Sequence, residues 1–206
     1  MQPYLAPDGG SVETLNPGFL NLAKMAFIYG GLHLLYGLLP DQWLSTVAYR
    51  FAFTQPGAGL IRMFAPGETV AVMNHELRSP QLVLEVVRGC DGSGALFLLI
   101  AALLAAGGKA RGLLLGLTLG GLGIYGFNLL RLVALYFIGT RAPQWFDVAH
   151  EYVFPGLLVV SVVAFVLIWT GRQIRASADA GRGGAPSALL DDEPKPQQQQ
   201  HGRHGP

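Results

Sequence analysis

Cysteine is almost missing from this sequence. Of its 206 residues only Cys90 is a cysteine, so no disulfide can form within the chain. The absence excludes the small secreted folds that a disulfide framework holds together. The chain therefore contains a single thiol, which is either inert and buried or chemically reactive.

Charged residues are also scarce. They make up 13% of the chain, whereas ordinary soluble domains carry about 25%. The formal net charge is +1, so no basic excess points to a nucleic-acid partner. Zinc, phosphate-loop and dinucleotide motifs are missing as well, and we expect neither a metal nor a cofactor.

Long apolar runs occupy much of the remaining sequence, of which 51% is hydrophobic. They predict an all-α integral membrane protein with about four transmembrane helices. Polar or glycine- and proline-containing stretches separate the runs. The predicted helices cover residues 18–39, a segment from near Cys90 to 106, 112–139 and 152–170.

The segment between the first two predicted helices, residues 41–89, is too polar and interrupted to cross a bilayer. Its aromatic residues are typical of chain that lies at the membrane interface. Residues 69–73 and 82–87 are short runs rich in β-branched residues, separated by Asn74, Ser79 and Pro80. This pattern predicts a short β-hairpin.

The chain divides into three parts. Residues 1–17 are predicted to form a flexible N-terminus. This segment lacks the basic start and the apolar stretch of a cleavable signal peptide. Residues 18–175 form the predicted membrane domain. Residues 176–206 contain clustered glycine and proline, a glutamine run and few apolar residues. Because such a composition cannot form a packed core, this segment is predicted to be a disordered tail.

Basic residues indicate the orientation in the membrane. Lys109 and Arg111 lie between the second and third predicted helices, and Arg172 and Arg175 follow the fourth. Such clusters favour the cytoplasmic side. We therefore expect a multi-pass protein of the inner or plasma membrane, with residues 41–89 and 140–151 on the extracytoplasmic side.

Three chemically distinctive residues are predicted to lie at one depth. Counted from the cytoplasmic ends of their helices, Cys90 is about 27 Å away and Arg131 about 28 Å. His150 is about 31 Å away by the same count. Because the hydrocarbon core is about 30 Å thick, all three are expected at its outer edge.

These residues suit a thiol active site. A thiol reacts as the thiolate, which a helix N-terminus or a neighbouring cation favours. The predicted roles are Cys90 as nucleophile, His150 as general base and acid, and Arg131 as stabiliser of an oxyanion. Asn128 shares a helix face with Arg131 and is a candidate substrate-binding residue. Asp147 or Glu151 is a candidate to orient His150.

The sequence resembles the exosortase/archaeosortase family over residues 82–169. The resemblance is carried by Gly89-Cys90-Asp91-Gly92-Ser93-Gly94, by Asn128-Leu-Leu-Arg131 and by His150. It implies a membrane cysteine transpeptidase or protease, here as a compact four-span member. The implied partners are exported proteins with a C-terminal signal of a short motif, a transmembrane helix and a basic cluster. The implied reaction cleaves near that motif and transfers the protein to an acceptor.

The sequence also permits other interpretations. The chain is alternatively a non-catalytic polytopic membrane protein, such as a transporter or assembly subunit. A membrane thiol oxidoreductase would need a second thiol from another protein. Arg131 is alternatively an interfacial anchor that snorkels outward. His33 and Tyr36 are interpreted as packing residues, and the glycine-rich stretch 120–126 as a site of close helix packing.

Overall fold

The computed structural model describes residues 16–183, and helices dominate this part of the chain. The second helix contains two π-helical turns, and short helical turns connect the last two long helices. The long helices are α1 (Pro17–Gly37), α2 (Asp41–Phe64), α3 (Ser93–Ala106), α4 (Ala110–Arg141) and α5 (Phe154–Gly183).

Two helical stretches, Ala110–Arg141 and Pro143–Ala176, are long and apolar enough to cross a membrane. α1 and α2 pass the same test only as a pair, and an 85° bend separates them. α3 has 14 residues and measures about 21 Å, which is less than the bilayer core. The predicted helical, membrane-type fold is thus confirmed. That the chain crosses the membrane four times stays a prediction.

The predicted β-hairpin is wrong in its pairing. Three short strands form an antiparallel sheet in the order β1-β2-β3, so the two predicted strands do not pair with each other. The chain reverses at Asn74, whose φ of 54° lies in the left-handed region, and the presumed linker supplies the middle strand. The strands are β1 (Ala71–Met73), β2 (Glu76–Arg78) and β3 (Val83–Glu85).

Two apolar clusters hold the fold together. One joins the sheet to the helices around it and includes Leu77, a residue of β2 whose side chain is fully buried. The other lies among α3, α4 and α5 and includes Leu99, also fully buried. The sheet therefore caps one end of the helical bundle rather than forming a separate domain.

Small residues bring the long helices together. Gly112, Gly116 and Gly120 recur every four residues on α4. A Cβ at Gly116 would lie 2.5 Å from Nε1 of Trp169. A Cβ at Gly120 would lie 2.7 Å from Cδ2 of Leu99, so the helices approach closely here. Gly123 and Gly126 face open space, and close packing in stretch 120–126 therefore depends on Gly120.

The ends of the chain differ from the predicted boundaries. α1 begins at Pro17, within the predicted N-terminal segment. α5 continues to Gly183, so residues 176–183 of the predicted disordered tail are helical. The rest of both predicted flexible segments, 1–15 and 184–206, lies outside the described residues.

Candidate active site

Cys90 lies in a turn that precedes α3. Gly89 and Gly92 have φ values of 91° and 79°, in the left-handed region that favours glycine. The backbone N–H of Cys90 donates to the carbonyl of Val87 at 3.0 Å. Because Gly92 interrupts the helical backbone, α3 starts at Ser93, three residues after Cys90, and Cys90 itself is outside the helix.

His150 faces the thiol from the other side of the site. Its Nε2 lies 3.2 Å from Sγ of Cys90, within hydrogen-bond distance. His150 belongs to a π-helical turn, Ala149–Val153, of a type that is frequent at functional sites. The ring of Phe146 stacks on the imidazole at 5.7 Å and fixes its plane. The thiol therefore has a proton acceptor beside it.

Arg131 joins the two segments that carry these groups. Its Nη1 donates to the carbonyl of Cys90 at 3.3 Å, and its Nη2 donates to the carbonyl of His150 at 3.4 Å. Nδ2 of Asn128 also donates to the Cys90 carbonyl at 3.3 Å. Arg131 is only 5% exposed, so it is not a snorkelling anchor. The structure thus brings all four predicted site residues together.

Two polar atoms at the base of the site have no hydrogen-bond partner among residues 16–183. They are Nε of Arg131 and Oδ1 of Asn128, and both are buried. An unpaired buried polar group costs about 1–3 kcal/mol, so a ligand that pairs with it gains affinity. A small opening of about 30 Å³ lies beside them, lined by Cys90, His150 and apolar side chains.

Asp91 supports the Cys90 turn, and the sequence interpretation did not give it a role. Its Oδ2 accepts a hydrogen bond from the Tyr36 hydroxyl. Its Oδ1 accepts from the backbone N–H and hydroxyl of Ser93 at 3.2 and 2.8 Å. Tyr36 in turn shares a 2.7 Å hydrogen bond with Tyr49. The signal in the sequence was a carboxylate beside a helix start, where such residues cap free N–H groups.

Arg88 ties the other end of the turn to α1. Its guanidinium donates to the carbonyl of Tyr36 and, at 2.9 Å, to that of Leu39. Carbonyls at the end of a helix lack partners within the helix, so a basic side chain stabilises them. A 2.6 Å hydrogen bond to the Asp41 carboxylate raises the pKa of the Arg88 guanidinium.

Other titratable groups contribute little to the site. Within residues 16–183, neither Asp147 nor Glu151 makes a hydrogen bond to His150, so neither orients its ring directly. In the same part of the chain, no group of three or more histidine, cysteine or carboxylate side chains is placed to hold a metal ion. The chemistry available to the site is that of the thiol, the imidazole and the buried guanidinium.

Comparisons with protein-family models, with curated proteins and with solved structures find no match to this chain. The resemblance of the motifs around Cys90, Arg131 and His150 contributes an expectation about the substrate.

Proposed function

We propose that this chain is a membrane cysteine transpeptidase or protease of the exosortase/archaeosortase type. It cleaves C-terminal sorting signals of exported proteins and transfers the proteins to an acceptor. The observation that carries the proposal is the 3.2 Å approach of the Cys90 thiol to Nε2 of His150. Buried Arg131 behind the pair supports it, because positive charge favours a thiolate.

The first half of the reaction forms a thioester. His150 accepts the thiol proton at Nε2, and the Cys90 sulfur attacks the carbonyl carbon of the scissile peptide bond. The tetrahedral intermediate collapses with cleavage of the C–N bond. The leaving amine takes the proton from His150 and departs with the transmembrane part of the signal, while the exported protein stays bound to Cys90.

The second half of the reaction releases the product. An acceptor nucleophile, or water in a hydrolytic turnover, gives its proton to His150 and attacks the thioester carbonyl. The C–S bond breaks, and His150 returns the proton to the Cys90 sulfur. One histidine thus acts first as base and then as acid in each half-reaction, which its position beside the thiol supports.

Arg131 acts chiefly by holding the pair together. Two of its five N–H groups bond backbone carbonyls of Cys90 and His150, while its buried Nε has no partner among residues 16–183 and can donate to an oxyanion. Its charge still favours negative charge at the site because the surroundings are buried and weakly screened. Asn128 borders the same opening and binds substrate there. The oxyanion role of Arg131 is therefore proposed first for Nε, the guanidinium nitrogen without a partner among the described residues.

The proposed membrane arrangement has four crossings and an extracytoplasmic site. Support comes from the opposite end of the bundle, where Lys109 borders the same opening as Trp169 and Thr170 in the middle of α5. Basic clusters near this end favour the cytoplasm. In this arrangement α3 crosses with help from the turn before it, and the bilayer thins locally around so short a helix.

The proposal is tested by substrate processing. Proteins from the same genome that end in a short motif, an apolar helix and an arginine cluster are co-expressed with this chain or with Cys90→Ala. We expect the new C-terminus, identified by mass spectrometry, only with the natural chain. Arg141→Gln, which alters an exposed side chain, is the control variant and should process normally. Equal processing by Cys90→Ala would contradict the proposal and favour a non-catalytic membrane protein.

A further inference from the structure

One edge of the small sheet carries unpaired backbone groups. β3 pairs with β2 in antiparallel register, with Leu84 opposite Leu77. The N–H of Val86 donates to the carbonyl of His75, and the carbonyl of Leu82 accepts from Ser79, each at 2.9 Å. Because hydrogen-bonding direction alternates along an antiparallel strand, Val83 and Glu85 direct their N–H and C=O groups away from β2.

No strand covers this edge in the part of the chain that the structure describes. Within residues 16–183, β3 pairs with β2 alone, and the sheet ends there. Val83 is 57% exposed, and Glu85 is exposed as well. An uncovered edge presents a row of donors and acceptors that another extended chain can pair with.

The free edge leads into the thiol site. Glu85 and Val86 line the same opening as Cys90 and His150. Apolar side chains such as Leu84 and Leu132 form the adjoining walls. A chain that paired with Glu85 would therefore continue past the sulfur with its backbone extended. Three residues form β3, so the edge holds a short peptide segment and not a large domain.

We infer that the free edge of β3, Val83–Glu85, binds the substrate peptide as an added β-strand. The inference rests on the proposed function, because it assigns the way in which the same site holds its substrate. Backbone pairing is independent of sequence, whereas the apolar walls select small or apolar side chains. The occupant is thus an extended, uncharged peptide segment that places its scissile carbonyl at Cys90.

The first test uses the full-length protein in detergent and two alkylating reagents. Acetyl-tetra-alanine chloromethyl ketone presents an extended peptide, and chloroacetone presents the reactive group alone. Each forms a C–S bond with Cys90 and releases chloride. Glu85→Pro removes the outward N–H, and Glu85→Ala removes the same side chain but keeps that N–H. Proline is tolerated where an edge strand's N–H is free, and melting temperatures check that both variants fold.

We expect Glu85→Pro to react with the peptide reagent up to about tenfold more slowly than Glu85→Ala, because one backbone hydrogen bond is lost. The two variants should react equally with chloroacetone. Equal rates with the peptide reagent would overturn the inference. The inference would also be overturned if Glu85→Pro converted a dimer to a monomer without changing the rate with the peptide reagent. In that case the edge of β3 would bind a second copy of the chain.

The second test leaves the protein unchanged and alters the peptide. Single N-methyl groups are placed along the tetra-alanine reagent, so that one N–H is removed at a time. A paired strand predicts slow alkylation of Cys90 for alternate positions only. A uniform effect would overturn the inference while the proposed function stands. A Cys90 that reacts with chloroacetone no faster than free glutathione would overturn both.

Discussion

At the scale of single residues, the Cys90 turn is held from three directions. Arg88 bonds it to the end of α1, and Asp91 bonds it to Tyr36 and to the start of α3. Arg131 bonds the Cys90 carbonyl from α4. Each contact fixes the backbone of the turn rather than the sulfur. The distance from Sγ to His150 therefore depends on residues that need not touch a substrate.

Loss of Asp91 should loosen the turn. Asp91→Ala removes the acceptor for Tyr36 and for the free N–H of Ser93, so we expect about 1–2 kcal/mol of lost stability. Chloroacetone should also alkylate Cys90 more slowly in this variant. Ser93→Ala, which removes one hydroxyl on the same carboxylate, should have the smaller effect on both. Wild-type melting temperature and alkylation rate in Asp91→Ala would show that the contact does not position Cys90.

Replacement of Arg131 should loosen the contact between the Cys90 turn and the segment that carries His150. Arg131→Gln removes the guanidinium that joins the carbonyls of Cys90 and His150, and Asn128 still donates only to the Cys90 carbonyl, so we expect a cost of about 1–3 kcal/mol. Arg131→Lys keeps the charge but cannot reproduce the planar fork, so it should recover little activity. Substrate processing and melting temperature measure both effects. Arg141→Gln is the control, since Arg141 is exposed and lies over Phe137. Full activity in Arg131→Lys would contradict the role of the Arg131 guanidinium in joining the Cys90 and His150 segments.

The meeting of Cys90, Arg131 and His150 followed from the sequence because the rise of a helix is constant, so counting residues gives depth. The atoms that make contact did not follow. Arg131 bonds two backbone carbonyls, whereas its expected partner was a substrate oxyanion, because side-chain packing decides where a long side chain ends. Asp91 lacked an assigned role, since its partner Tyr36 lies far away in sequence.

At the scale of helices and strands, the glycines of α4 set how closely the bundle packs. Gly116 lies against Trp169, and Gly120 lies against Leu99 and Phe165. These contacts belong to the half of α4 away from the site. The Cys90 turn is continuous with α3, and His150 precedes α5, so the spacing of these helices also sets the position of the active pair.

A methyl group added to the glycine stripe of α4, formed by Gly112, Gly116 and Gly120, should force the helices apart. In Gly120→Ala the new Cβ would meet Leu99 and Phe165 at 2.7 and 2.8 Å, and overpacking typically costs about 1–3 kcal/mol. Gly126→Ala places the same group in open space and gains helix propensity. We expect a lower melting temperature in detergent for Gly120→Ala only. Equal melting temperatures would show that the stripe does not control packing.

Helices were easier to predict than strands for a physical reason. α4 and α5 contain long apolar runs, and their backbone groups are satisfied within each helix. The strands have three residues each, too few for an alternating pattern to be distinctive. β2 was missed because Asn74 and Pro80 around it are typical of loops. Its pairing depends on Leu77, which is buried against residues distant in sequence.

At the scale of the whole molecule, the thiol site and the basic loop at Lys109 lie at opposite ends. Cys90 and His150 occupy the end that the sheet caps, and Lys109 occupies the other. The composition predicted a membrane protein because apolar surface this extensive needs a lipid environment. Composition could not fix the number of crossings, since α3 is short and the α1–α2 pair is bent.

The proposed orientation predicts which end a membrane-impermeant maleimide reaches. Cys90 is the only thiol in the natural chain, so labelling of intact cells reports on it alone. We expect labelling of Cys90 from outside. In a Cys90→Ala background, Lys109→Cys should be labelled only after permeabilisation. The reverse pattern would contradict an extracytoplasmic site and leave the contacts within the site unaffected.

The most direct test of the active pair is the rate at which iodoacetamide alkylates Cys90 at neutral pH. In the natural chain His150 takes the thiol proton, so Cys90 should react about tenfold faster than in His150→Ala. His33→Ala is the matched control, since the His33 ring packs against Tyr29 and Phe97, and its loss should leave the rate unchanged. A rate that is the same in the natural chain and in His150→Ala would contradict a thiol activated by this imidazole.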